Sequence, residues 1–123
     1  MPIVRNADAP RFDLPGLTVR GLASPTRGAR ETAVWRLTLA PGAPGAPHQL
    51  TREEIFVATA GTAVATVGDA RHELAAGDVL IVPPGVTFTL ANPSTAPFEA
   101  VAASPVGGQA VAGDRTFTPP WAV

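Results

Sequence analysis

A chain of 123 residues with 46% hydrophobic side chains carries enough apolar material for one domain with one core, and too much for wholesale disorder. It contains no cysteine, which excludes disulfides, thiolate nucleophiles and zinc–sulfur sites. Its formal charge of −1 comes from nine arginines, no lysine and ten acidic residues scattered without a basic cluster, so nucleic acid and membrane surfaces are not expected partners.

Fourteen prolines and twelve glycines without a collagen-like period leave little room for long helices and predict an all-β chain rich in turns. No apolar run approaches the ~20 residues of a membrane span, and Met1-Pro2-Ile3-Val4-Arg5 lacks an apolar signal core, so a cytoplasmic protein is expected.

Residues 1–16 are polar and proline-broken, and read as an N-terminal arm ending in the turn Leu14-Pro15-Gly16. A first strand follows over 17–22, then a loop over 24–30. Residues 31–40 are the clearest strand: Ala33, Trp35, Leu37 and Leu39 fall on one face, with Arg36 and Thr38 on the wetter one. The Pro/Gly-rich stretch 41–47 reads as a stiff extended loop that fixes how the chain enters its next strand. Ile55, Phe56 and Val57 form an apolar run expected to be buried on both faces, broken at Gly61. Residues 62–67 and 70–74 predict a hairpin around Gly68-Asp69. Strands over 79–82, 86–91 and 98–103 follow, separated by Pro83-Pro84-Gly85 and Asn92-Pro93-Ser94. The tail 104–123 shows no strand pattern; its Phe117 and Trp121 are expected to cap the core or a partner subunit. Eight or nine short, turn-connected strands predict a sandwich or barrel.

The most ordered pattern lies in residues 45–92. His48 and Glu54 stand six residues apart, with Gly61 closing the stretch. Further on, Gly77, Pro83, Gly85 and Asn92 recur at fixed offsets. This resembles the paired motifs of the RmlC-like cupin superfamily, in which a His-x-His…Glu…Gly segment precedes a Gly…Pro-x-Gly…His…Asn segment. The fifteen residues between the two halves, 62–76, suit a small single-domain member. The resemblance implies a cupin-type double-stranded β-helix, or jelly-roll barrel, spanning residues 1–123. It also implies a homodimer, with which the apolar N- and C-terminal segments agree.

Typical cupins bind a divalent metal through three histidines and a glutamate. At the second and third histidine positions this chain has Leu50 and Phe88, neither of which donates a lone pair. With only His48 and Glu54 left, the metal motif is incomplete and any divalent metal is expected to be weakly bound, since catalytic sites generally use three protein ligands. Alternation along the strands would place Phe56 beside Glu54, and Leu90 beside Phe88, facing inward. The expected interior is therefore an apolar cavity walled by Trp35, Leu37, Leu50, Phe56, Phe88 and Leu90, with His48 and Glu54 as its polar groups. Two readings follow: a protein that binds a small, largely apolar molecule without a cofactor, or an isomerase, cyclase or dioxygenase type of enzyme. In the second, His48 and Glu54 act as an acid/base pair or as residual metal ligands. A purely structural His48–Glu54 hydrogen bond is the alternative to both.

Overall fold

The structure, a computed structural model, describes residues 2–123. Its glycines and prolines cut the chain into short extended runs, which become twelve strands among the described residues. These are β1 (Arg11–Leu14), β2 (Leu17–Ala23), β3 (Thr32–Leu39), β4 (Gln49–Leu50), β5 (Glu54–Ala60), β6 (Thr62–Val67), β7 (Ala70–Ala75), β8 (Val79–Val82), β9 (Phe88–Ala91), β10 (Phe98–Pro105), β11 (Ala110–Ala112) and β12 (Arg115–Phe117). Short 3-10 turns occur at Asn6–Asp8, Pro25–Arg27 and Pro120–Ala122.

Six strands form one antiparallel sheet in the order β1-β2-β3-β10-β5-β8. Two three-stranded sheets, β12-β11-β4 and β7-β6-β9, are joined where His48 pairs with Phe88. There the His48 N–H donates to the Phe88 carbonyl at 3.1 Å, and the Phe88 N–H donates back at 2.9 Å. The inner faces of all these sheets contribute to one buried cluster, the two-layered core of a jelly roll. Period-2 patterning decides which residues enter it. In β3, Ala33, Trp35, Leu37 and Leu39 are buried while their neighbours are not, and in β10 Phe98, Ala100 and Ala102 alternate in the same way.

The motif glycines and Asn92 hold the corners. Gly45 and Gly61 adopt φ of +71° and +73°, and a Cβ on either would collide with a carbonyl, that of Leu90 or of Pro97. Asn92 is fully buried. Its amide donates to the carbonyls of Leu39 (3.1 Å) and Ala96 (2.8 Å), and its Oδ1 accepts from the Ser94 amide and hydroxyl. This side chain stitches the end of β3 to the turn between β9 and β10.

Four expectations need correction. The N-terminal arm is not merely an arm: residues 11–14 pair with β2 across the Pro15-Gly16 turn. The tail is not strandless either, because β11 hydrogen-bonds to β4 on one side and β12 on the other. These additions bring the strand count to twelve rather than eight or nine. Finally, the run 55–57 is buried on one face only. β8 is an edge strand, and its Val79 and Ile81 lie outward beside Val57 and Ile55, leaving Val57 39%, Val79 53% and Ile81 55% exposed.

Candidate functional site

Among the described residues three polar side chains are buried, and of these Glu54 is the only ionisable one. It opens β5, pairing with Val82 of β8, and strand alternation turns it inward with Phe56 and Ala58. Its carboxyl has neither an ionic nor a hydrogen-bond partner among the described residues, so burial acts on it unopposed and pushes its pKa up to about 8. Glu54 is therefore a neutral carboxylic acid at physiological pH, able to donate one hydrogen bond as well as accept.

Glu54 lines a narrow cleft whose walls are Ala33, Trp35 and Leu50 and whose polar edge is Arg52, Ser104 and Gln109. Counting its open mouth the cleft measures about 300 Å³, but the void in it is about 20 Å³, room for about one water. The tail closes the rest: Pro119 and Ala122 line the cleft, and the Pro120–Ala122 turn packs against β2 and β3. Trp121 anchors this cap edge-on to Phe12, ring centroids 6.1 Å apart. The anchor is incomplete. The buried indole N–H of Trp121 has no partner among the described residues, which costs about 1–3 kcal/mol.

His48 is placed differently. It is half-buried, its Nδ1–H donates to the Ala46 carbonyl at 2.9 Å, and its ring lies tilted against Phe88 with centroids 4.4 Å apart. Phe88 in turn meets Phe56 at 5.9 Å, so an aromatic file fills the interior where an open cavity was expected. His48 does not line the cleft, and no His48–Glu54 hydrogen bond or ion pair forms among the described residues. The purely structural His–Glu pair is thus replaced by two separate arrangements.

The donor set does not fit a catalytic metal. The described residues contain no group of three or more His, Asp or Glu side chains placed to hold an ion. Leu50 and Phe88 fill two of the positions from which ligands would reach, and His48 has one nitrogen committed to a backbone carbonyl. No step through a metal is derived for this site.

Of the wall residues expected from the sequence, Trp35 and Leu50 stand with Glu54 in the cleft. Leu37, Phe56, Phe88 and Leu90 are buried in the surrounding core and do not border it. Sequence reasoning missed the contributions of Ser104, Pro105, Gly108, Gln109, Pro119 and Ala122. All but Ser104 and Pro105 lie beyond β10, and the one available signal was the aromatic pair Phe117 and Trp121 in a tail otherwise without pattern. Arg52, exposed in the bend before β5, borders the cleft as well.

Among solved structures, the polyketide cyclase RemF from Streptomyces resistomycificus superposes with a TM-score of 0.80 at 15% identity, over 96% of this chain and 84% of that one. A sugar phosphate isomerase from a cupin superfamily, from Silicibacter pomeroyi, gives 0.76 at 19% identity, over 93% and 83%. KdgF from Halomonas sp. gives 0.71 at 18% identity, over 84% and 92%. At these identities the likeness is one of fold. No curated protein matches the sequence. The model of the cupin domain family, however, matches residues 35–104, more than half of the chain, and takes in Trp35, Leu50, Glu54 and both motif halves. The jelly roll and that match agree, and the chain belongs to the cupin family.

Proposed function

We propose that this cupin binds a small, largely apolar molecule in the cleft beside Glu54, without a tightly bound catalytic metal. One observation carries the reading: a buried carboxyl without any protein partner, facing a cleft walled by Trp35, Leu50 and Ala33. An unpartnered polar group in an apolar recess is destabilising, and a ligand that accepts its hydrogen bond offsets that cost. The ligand body enters by displacing the Pro119–Ala122 side of the cleft, where the Trp121 indole N–H is left without a partner. The test is a titration of the isotope-labelled protein with benzyl alcohol, followed by NMR. The Trp35 indole and Leu50 methyl resonances should shift together in a saturable way. A titration that leaves both unmoved to millimolar ligand would sink the reading.

A second reading, favoured by the neutral state of Glu54, is an enzyme. A carboxylic acid that keeps its proton at neutral pH is suited to protonating a carbonyl or alkene during cyclisation or isomerisation. Two structural relatives are described as a cyclase and an isomerase. In that case Glu54→Gln abolishes turnover and leaves ligand affinity within a few-fold. Loss of turnover in His48→Ala alone would instead move the chemistry away from the cleft.

We take the protein to be a cytoplasmic homodimer. No helix is long and apolar enough to cross a membrane. The outward ladder of Ile55–Ile81 and Val57–Val79 supports a second copy as occupant, because such a strip meets its own image across a two-fold axis. Sedimentation should give a dimer for the parent chain and a monomer for Ile81→Asp; a monomeric parent would end this part of the proposal.

A further inference from the structure

The cleft has two chemically different ends. Glu54 lies among Ala33, Trp35 and Leu50, and Arg52 lies at the mouth with Ser104 and Gln109. No other ionisable residue lines it. Arg52 makes no salt bridge or side-chain hydrogen bond among the described residues, with Glu54 or with any other group. Five guanidinium N–H donors are therefore free at the opening of an apolar recess.

The backbone under Arg52 is nevertheless fixed. The Thr51 amide donates to the Gln109 carbonyl at 2.9 Å, and the Gln109 amide donates to the Thr51 hydroxyl at 2.9 Å. Behind it, Gly108 leaves space that a side chain would take: a Cβ there would lie 3.5 Å from Arg52 Cβ and 3.1 Å from Ser104 Oγ. The hydroxyl of Ser104 is already used, donating to the Glu53 carbonyl at 3.1 Å. So the rim offers one unsatisfied strong group, a planar cation on a pinned backbone, and its natural complement is a planar anion met by two parallel hydrogen bonds.

We infer that the ligands of this cleft are small monocarboxylic acids with an apolar body, the carboxylate held by Arg52 at the mouth and the body lying against Trp35 and Leu50. The inference rests on the binding reading above and adds the charge of the ligand to it. Because Arg52 is exposed, water screens the pair, and the carboxylate preference is about threefold to fivefold rather than the larger factor of a buried ion pair.

Benzoate and benzyl alcohol share an aromatic body and differ in the anion, which makes them the probes. Both are titrated into the full chain and into Arg52→Gln and Arg52→Lys, with affinity read from the Trp35 indole and Leu50 methyl resonances. The expected result is benzoate binding about threefold to fivefold tighter than benzyl alcohol to the parent chain. Arg52→Gln removes that preference without changing the alcohol, and Arg52→Lys restores only part of it, lacking the planar fork. Equal affinity of the two probes for the parent overturns the carboxylate inference and leaves the apolar cleft standing. So does an unchanged preference in Arg52→Gln, or benzoate shifts confined to other arginines. If neither probe moves Trp35, the binding reading itself fails. Arg52 is exposed and unpaired, so both variants should keep the parent's thermal midpoint, which serves as the folding control.

Discussion

Asn92 and Glu54 are both buried, both polar and both part of the cupin pattern, yet their surroundings are opposite. Around Asn92 every hydrogen-bonding group is used: two carbonyls accept from its amide, and Ser94 donates twice to its oxygen. Around Glu54 no protein group among the described residues bonds to the carboxyl, and burial favours its protonated form. A buried polar group that is satisfied stabilises a corner of the scaffold; one that is not costs stability and waits for something to complete it. The difference separates the part of the pattern that builds the barrel from the part that can act.

The sharpest way to break the comparison is to remove the satisfied group. Asn92→Ala strands the carbonyls of Leu39 and Ala96 and frees the Ser94 turn, and should cost about 4 kcal/mol in urea denaturation. A loss below about 1 kcal/mol would mean that Asn92 is no more structural than a surface residue.

Removing the unsatisfied group should act in the reverse direction, and increasingly so as pH rises above about 4.5. The Glu54 carboxyl titrates near 4.5 when unfolded and at about 8 when folded. Below the lower value it is neutral in both states and costs no ionisation energy. Between the two, the folded chain retains a proton that the unfolded chain has released, so stability falls as pH rises, and the fall levels off above the folded value. Across that window the parent should lose about 4 kcal/mol, while Glu54→Leu should show a nearly flat profile and exceed the parent at pH 8.5. Parallel pH profiles for the two chains would show that burial does not control Glu54.

The two regions also differed in how readable they were. Gly61, Gly77 and Gly85 take positive φ and Asn92 fills a buried corner, requirements that only a few residue types meet, so the resemblance to the cupin motifs rested on positions with a physical reason, and that resemblance implied the jelly roll. The inward placement of Trp35, Phe56 and Phe88 followed from strand alternation and stands in the structure. The cleft was less legible because Gly108, Gln109, Pro119 and Ala122 lie in the segments just before β11 and just after β12, which have no period to detect. β11 and β12 are three residues each, and the pairing of Ala110 with Leu50 is a long-range register that nothing local encodes. Alternation gave His48 and Leu50 a common face but not their depths. The ring of Phe88 met His48, and Leu50 reached the cleft.

A smaller effect tests the cap that separates Glu54 from solvent. Trp121→Ala deletes the contact with Phe12 but also the unpartnered indole N–H, so the loss should be about 2 kcal/mol rather than the larger cost of a fully satisfied core tryptophan. Hydrogen exchange at the Ala110 and Gln109 amides should accelerate in this variant while that at Asn92 stays slow. Uniform acceleration would show that cap and scaffold open as one unit, and that the cleft has no door of its own.

His48 gives the smallest expected effect and the finest division between scaffold and site. Its contribution to the fold runs through its backbone, which pairs reciprocally with Phe88 and joins the two three-stranded sheets. Any residue with an N–H supplies those bonds. The imidazole adds one hydrogen bond to Ala46 and a half-exposed contact with Phe88, so His48→Ala should cost less than about 1 kcal/mol. His48→Pro keeps the carbonyl but removes the donor to Phe88, and should cost about 3 kcal/mol by breaking the seam between the sheets. Denaturation of both variants checks the ordering. A large loss in His48→Ala would assign the ring a packing role as firm as that of Asn92. A small one leaves Glu54, with its unshared proton, as the polar centre of the barrel.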